Sequence, residues 1–306
     1  MIKDKIKQLL PKEILDYLRR AKYRLKFKHK FYDIHGYSVS VDNPITWNDK
    51  IHFRKKYGNQ FFMANIADKL MVRDLIAEKI GSNYLTKLIQ VVDRASEIDF
   101  DSLPNKFVIK TNHGSGIEHI EIVTDKSKIT KDYIVNKFDI ALRSIHGYIH
   151  DEKFYSHIKP KILIEEYLDS GKITPDDFKL HCFNKNGAFI CYIQVDSGRY
   201  ISHQRNIYDI DWNLQRFKLE KKYPHIDEVP RPDKLDEMLL IAKKLSSGFD
   251  YIRVDLYVVN SQIYFGELTF THGDGMECFE PTDIDYKWGA LWVVDTSNKE
   301  LYDVIK

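Results

Sequence analysis

Two stretches of this chain read as strand, short turn and strand, and they limit the fold more than any other feature. Phe178 to Phe183 and Ala188 to Asp196 flank Asn186-Gly187, while Tyr251 to Val259 and Gln262 to Phe270 flank Asn260-Ser261. Each predicts an antiparallel hairpin. A doubly wound parallel sheet, whose strands are joined by helical crossovers, does not fit them. Helical periodicity runs from Trp47 onward, after the turn at Asn43-Pro44. It returns over Phe61 to Ile80, with Ala67, Leu70, Met71, Leu75 and Ile76 on one face, then over residues 130–150 and Pro232 to Leu245. Short strands are expected at Leu88 to Val92, Lys106 to Lys110, Ile117 to Val123 and Lys161 to Leu168. Antiparallel strands mixed with helices place the chain in the α+β class.

At 306 residues the chain can form two domains or lobes, and 43% hydrophobic with 30% charged residues excludes global disorder. No run approaches the ~18 apolar residues of a membrane span, and the N-terminus lacks the apolar stretch of a signal peptide. Cys182, Cys191 and Cys278 lack the paired spacings of zinc or redox sites and read as reduced core thiols. A cytoplasmic location is expected. The net charge of +2 argues against a general nucleic-acid binder, but residues 1–30 carry 11 Lys/Arg against 3 Asp/Glu, a local +8 that leaves −6 for the rest. Within this arm Ile2, Ile6, Leu9 and Leu10, then Ile14, Leu15, Leu18 and Leu25, recur at helical spacing, and Pro11 suits the first turn of a second helix. Such a basic amphipathic arm either packs its apolar stripe on the body, or lies on an anionic membrane or polyanion.

Four constellations can carry chemistry. Lys110 ends a strand beside the loop Asn112-His113-Gly114-Ser115-Gly116, so an ammonium and free backbone N–H groups can surround phosphate oxygens. Arg253 and Asp255 share a strand face, and the hairpin register brings Asp255 opposite residue 266 or 267, so that Asp255 and Glu267 meet. Paired carboxylates of this kind suit Mg²⁺; a solvated hairpin face is the alternative. Glu165 and Glu166 are adjacent on a strand and point to opposite faces, so one needs a buried partner, an amino-purine edge or a salt bridge. Asp196 to Asp209 holds Arg199, His203, Arg205 and Asn206, and two arginines in a loop suit bidentate carboxylate or phosphate recognition. Asp209-Ile210-Asp211 resembles the Asp-x-Asp metal motif of many glycosyltransferases, whereas His146 and His150, four apart on a helix, lack a third ligand for zinc.

In this order, the lysine-bearing strand, small-residue loop, acidic strand, and Arg-x-Asp with Glu on a terminal hairpin resemble the ATP-grasp superfamily. Ile45 to Lys50, Ala67-Asp68-Lys69, Lys110 to Gly116, Val195 to Asp209 and Phe265 to Thr269 resemble its TupA-like branch, associated with teichuronopeptide and capsular polysaccharide biosynthesis. The resemblance covers approximately residues 40–290. It implies two α+β lobes gripping ATP, divided as an N-lobe over 61–160 and a C-lobe with the metal hairpin over 161–306, after a basic helical arm and N-terminal segment over 1–60. It further implies that Lys69 or Arg73 and Lys110 reach the nucleotide phosphates, with His113, Gly114, Ser115 and Gly116 over them. Glu165, Glu166 and Tyr167 would line the adenine and ribose pocket, with Asp177 and Lys179 nearby. Asp255, Glu267 and Thr269 would hold Mg²⁺, and Arg253 would neutralise charge at the γ-phosphate. Thr269 departs from the Glu-x-Asn of many ATP-grasp ligases, and a hydroxyl is a weaker magnesium ligand than an amide oxygen.

The implied chemistry is carboxylate activation: a uronic acid carboxylate of a surface polysaccharide or its precursor becomes an acyl phosphate, then an amide with an amino acid or small amine. Arg199 and Arg205 are the candidates for holding the acceptor carboxylate. Contact with the inner face of the cytoplasmic membrane through residues 1–30 is part of the expectation. The alternatives are a glycosyltransferase using Asp209 and Asp211 with a sugar nucleotide, and a non-catalytic nucleotide-binding scaffold.

Overall fold

The computed structural model describes residues 11–144, 146–171, 177–198, 202–227 and 229–303. The part of the basic arm before Pro11, with Ile2, Ile6, Leu9 and Leu10, lies outside them, as does Arg199. From Lys12 to His35 the arm is one helix, α1, ended by Gly36 in the left-handed conformation. Its docked face is aromatic: the Phe27 ring lies 4.6 Å from His52 and Tyr23 lies 5.0 Å from His150, while Phe31 is fully buried. Arg20 and Arg24 both hold Asp151 at 2.7 Å. The aliphatic residues Ile14, Leu18 and Leu25, expected to meet the body if the arm packs, are exposed.

The stretch Ile45 to Lys50 is a structural clasp. Thr46 and Asp49 form a capping box that starts α2 (Trp47–Tyr57), the Trp47 ring is fully buried among aromatics, and Asn48 donates to Asp285 at 2.7 Å. Asp285 lies on α7 (Asp283–Leu291). The single helix expected over Phe61 to Ile80 is two, α3 (Gln60–Ala67) and α4 (Val72–Lys79). Asp68 interrupts it by accepting the backbone N–H groups of Leu70 and Met71, and Met71 is exposed as a result.

Two antiparallel sheets follow. The smaller has the order β1-β4-β2-β3, with β1 (Leu88–Val92), β2 (Phe107–Thr111), β3 (Ile120–Val123) and β4 (Ile162–Glu166), backed by α5 (Lys131–Leu142). β4, which follows residue 160, pairs with β1 and β2. The strand expected from Ile117 starts at Ile120, after a short 3₁₀ turn, and helix over 130–150 stops at Leu142. His146 and His150 therefore lie beyond that helix.

The larger sheet has the order β10-β9-β5-β6-β7. β5 (Asp177–Lys185) and β6 (Ala188–Ser197) form the first hairpin, and β9 (Tyr251–Val259) and β10 (Gln262–Thr269) the second. Both turns have two residues at positive φ, Asn186 and Gly187 in one, Asn260 and Ser261 in the other, the geometry that matches strand twist. β7 (Gln204–Tyr208) is a strand within the segment expected to be a loop. A two-stranded ribbon pairs β8 (Lys218–Leu219) with β11 (Phe279–Glu280). Alternation divides the large sheet. Phe178, Leu180, Ile193, Val254, Leu256 and Leu268 bury one face against α6 (Leu235–Ser246), leaving the other face for polar groups. All three cysteines are free and buried, as expected.

Candidate active site

The small sheet supplies the first wall. Lys110 on β2 and Glu165 on β4 alternate onto one face, where the Lys110 ammonium lies 2.6 Å from Glu165. Arg73 reaches the same carboxylate at 3.4 Å and donates to the Thr86 carbonyl at 2.6 Å. Glu166 turns outward and accepts the Lys87 N–H, as strand alternation requires. Tyr167 follows the strand, with the Lys106 ammonium 5.5 Å from its ring centroid.

The loop after β2 is seated by the break between α3 and α4. Asn112 donates to Asp68 at 3.0 Å, and the Lys69 ammonium donates to the Gly114 carbonyl at 2.7 Å. Burial lowers the Lys69 pKa, opposed most strongly by the charge of Glu267 and assisted by that of Lys110. Behind the loop His119 is held between Thr111 Oγ1 at 2.7 Å and Ser144 Oγ at 3.0 Å, and His146 meets Ser115 Oγ at 3.1 Å. Burial pushes His146 down to about 4 and lowers His113, so both rings are neutral at neutral pH. Gly114 is obligatory here: a Cβ would sit 2.0 Å from His119 Nδ1.

The second wall is the polar face of the large sheet. The predicted register holds, with Asp255 opposite Glu267 and Arg253 opposite Thr269; a bulge between Phe265 and Glu267 selects residue 267 over 266. Arg253 binds Asp255 through Nε at 2.6 Å and Nη2 at 2.7 Å, Glu267 at 2.7 Å and Thr269 Oγ1 at 2.9 Å. Burial opposes its charge, but Asp255 and Glu267 outweigh that and raise its pKa. Lys179 bridges Asp177 and Asp255, each at 2.6 Å.

The network continues through residues that sequence reading did not select. His272 contacts Arg253 and lies 2.8 Å from Glu277, which accepts Arg205 at 3.0 Å. Arg205 also binds Asp196 at 2.7 Å. Arg205 is thus on a strand, 6% exposed, with its guanidinium committed to Asp196 and Glu277. It braces this wall, on β7 and not in a loop. The only sequence signal for His272 and Glu277 was their place in the polar segment directly after the β9–β10 hairpin.

The ligands expected from the sequence are a nucleotide and Mg²⁺. Among the described residues no cluster of three or more His, Cys, Asp or Glu forms a ready metal cage. The donor chemistry nevertheless fits Mg²⁺: the Asp255 and Glu267 carboxylates and the Thr269 hydroxyl converge on one cationic group, Arg253. Five carboxylates on this face, Asp177, Asp196, Asp255, Glu267 and Glu277, oppose three cations, Lys179, Arg205 and Arg253, while burial holds His181 and His272 toward the neutral form. The excess is negative, as a divalent cation requires. On the loop side, the buried Nδ1 of His113 has no hydrogen-bond partner. Asp209 fits no metal role: its carboxylate accepts the N–H groups of Asp211 and Asn213 and the side-chain amides of Asn213 and Gln215, tying its own turn.

Two antiparallel sheets presenting a lysine-and-loop wall and an acidic wall define an ATP-grasp protein. A family model described as TupA-like ATP-grasp matches residues 49–293, and the chain belongs to that family. A search of curated proteins gives no match. Among solved structures, a D-alanine–D-alanine ligase from Helicobacter pylori is 16% identical, with a TM-score of 0.43, over 75% of this chain and 61% of that one. The Bacillus anthracis D-alanine–D-alanine ligase complexed with ATP is 15% identical, with a TM-score of 0.40, over 70% of this chain and 57% of that one. An N5-carboxyaminoimidazole ribonucleotide synthetase from Thermus thermophilus is 10% identical, with a TM-score of 0.38, over 67% of this chain and 45% of that one. This chain thus spans less than two thirds of the length of these enzymes.

Proposed function

We propose that the protein is an ATP-dependent carboxylate–amine ligase. The observation that carries this reading is a pair of walls: Lys110 2.6 Å from Glu165 with Lys69 held 2.7 Å from the Gly114 carbonyl on one, and Asp255 opposite Glu267 on the other. Lys69, Lys110 and the loop His113 to Gly116 would hold the phosphates, with Arg73, Glu165, Glu166 and Tyr167 on the nucleoside side and Asp177 and Lys179 nearby. Asp255, Glu267 and Thr269 would hold Mg²⁺, which when bound lowers the negative charge of the triphosphate.

In the first step an acceptor carboxylate oxygen bonds to the γ-phosphorus as the bond to ADP breaks. In the second the amine nitrogen bonds to the acyl carbon, the carbon–oxygen bond to phosphate breaks, and the amine loses a proton. Arg253 stabilises charge on the transferring group, and no covalent enzyme intermediate is needed. The acceptor is a uronic acid of a bacterial surface polysaccharide or its precursor, and the amine an amino acid or small amine. With Arg205 committed, Arg199 is the remaining arginine candidate for the acceptor carboxylate. The site of action is cytoplasmic, and no described helix is long and apolar enough to cross a membrane.

The test is phosphate release from ATP and Mg²⁺ with a panel of uronic acids and amines, one carboxylate carrying ¹⁸O. Release that needs both substrates and transfers ¹⁸O into the phosphate supports ligation. Phosphorylated sugar without phosphate release would instead assign a kinase.

A further inference from the structure

Helix α1 has two apolar faces, and the structure uses one. Tyr23, Phe27 and Phe31 pack on the body, whereas Ile14, Leu18, Leu25 and Tyr32 are 45%, 50%, 87% and 54% exposed. These four are spaced by 4, 7 and 7 residues, nearly whole helical turns, so they form one stripe about 40° wide. Exposed cations border it on both edges: Lys22, Lys26 and His29 on one, Arg24 and Lys28 on the other. Of these, His29 lies 3.7 Å from Asp33 and Arg24 is paired with Asp151 at 2.7 Å, which leaves Lys22, Lys26 and Lys28 as the lysines of the border. Beyond Arg24 the body adds Lys153 and Lys56, the latter paired with Asp42 at 2.6 Å, and these line with Arg24 and Asp151 a cleft of about 250 Å³ alongside the helix. The helix lies outside the residues matched by the family model, 49–293.

We propose that the outward face of α1 docks this protein on an anionic lipid bilayer. The inference stands apart from the proposed reaction. An aliphatic stripe flanked by Lys and Arg, parallel to the helix axis, is the arrangement with which helices lie in a membrane interface, side chains in the acyl boundary and ammonium groups among the phosphates. Charge complementarity selects this occupant over a second copy of the chain. Pairing two such faces would bring their basic borders together and repel, whereas an anionic surface satisfies stripe and borders at once. In this pose the aromatic face keeps its contacts with His52 and His150, so docking needs no rearrangement of the body.

The experiment is co-sedimentation of the full chain with vesicles of phosphatidylcholine alone or mixed with phosphatidylglycerol, with light scattering on the same samples without lipid. The wild type should pellet with the anionic vesicles, lose that binding in high salt, and bind phosphatidylcholine at least about tenfold less. The double variant Leu18→Glu/Leu25→Glu should lower the bound fraction about tenfold or more at an unchanged thermal midpoint. Lys22→Glu/Lys26→Glu, which spares the stripe, should also lower it. Absence of pelleting with anionic vesicles, or equal pelleting of wild type and Leu18→Glu/Leu25→Glu, overturns the proposal. A wild-type dimer that the stripe variant dissociates, without vesicle binding, overturns it in favour of a self-association surface.

Discussion

Asp255 and Glu267 stand opposite each other, yet their neutralisation should separate stability from activity. Asp255 is 1% exposed and its two oxygens take Arg253 and Lys179 at 2.6–2.7 Å. In Asp255→Asn both cations stay buried and lose their shared counter-charge. Removing one partner of a buried pair costs about 3–5 kcal/mol, and Asp177 and Glu267 remain as second partners, so the lower end, about 3 kcal/mol, is expected. At roughly 2 °C per kcal/mol for a large domain the midpoint should fall by about 6 °C. The Glu267 side chain is 38% exposed and shares Arg253 with Asp255, so Glu267→Gln should cost about 1 kcal/mol or less. Both variants remove a proposed magnesium ligand and should lower ATP turnover by about a hundredfold or more. The assay is thermal unfolding beside ADP release at saturating Mg²⁺. Equal loss of stability in the two, or wild-type turnover in Glu267→Gln, would refute the assignment of Glu267 to chemistry and Asp255 to both roles.

Other outcomes follow from the loop wall and its neighbours. Lys110→Ala should weaken ATP binding about tenfold or more by calorimetry, since it removes a cation proposed to face the phosphates; unchanged affinity would remove the phosphate cradle. Gly114→Ala drives a methyl into the His119 ring, which Thr111 and Ser144 hold in place, so the loop must move and nucleotide affinity should fall at a near-native midpoint. Glu152, hydrogen-bonded by Thr271, is pushed up to about 7 by burial. From the ordinary glutamate range to about 7 the folded protein therefore holds a proton that the unfolded chain releases, and this group makes stability fall as pH rises through that window. Glu152→Gln should flatten that fall in midpoints measured from pH 4.5 to 8; an unchanged slope would refute the assignment.

The hairpins were legible because local rules set them: a two-residue turn fixes the register, and the register alone brings Asp255 to Glu267. The Lys110 strand and its loop were legible for the same reason. Contacts between distant elements were not. Nothing local shows that Asp68 breaks a helix to seat the loop after β2 through Asn112, or that Glu277 draws Arg205 away from solvent. Helix α1 is the sharpest case. Periodicity identifies an amphipathic helix but not which of two apolar stripes meets the body, and the aromatic one, which can reach His52 and His150, is buried.

On the proposed function, the lysine-and-loop wall and the acidic wall together bind ATP with magnesium. The most direct test is a thermal-shift titration of the full chain with Mg²⁺ and, separately, ATP, ADP, UDP-glucose and UDP-glucuronic acid, because a ligand of the native state raises its midpoint. The account predicts stabilisation by the adenine nucleotides, lost in Lys110→Ala. Stabilisation by the uridine sugars alone would contradict it.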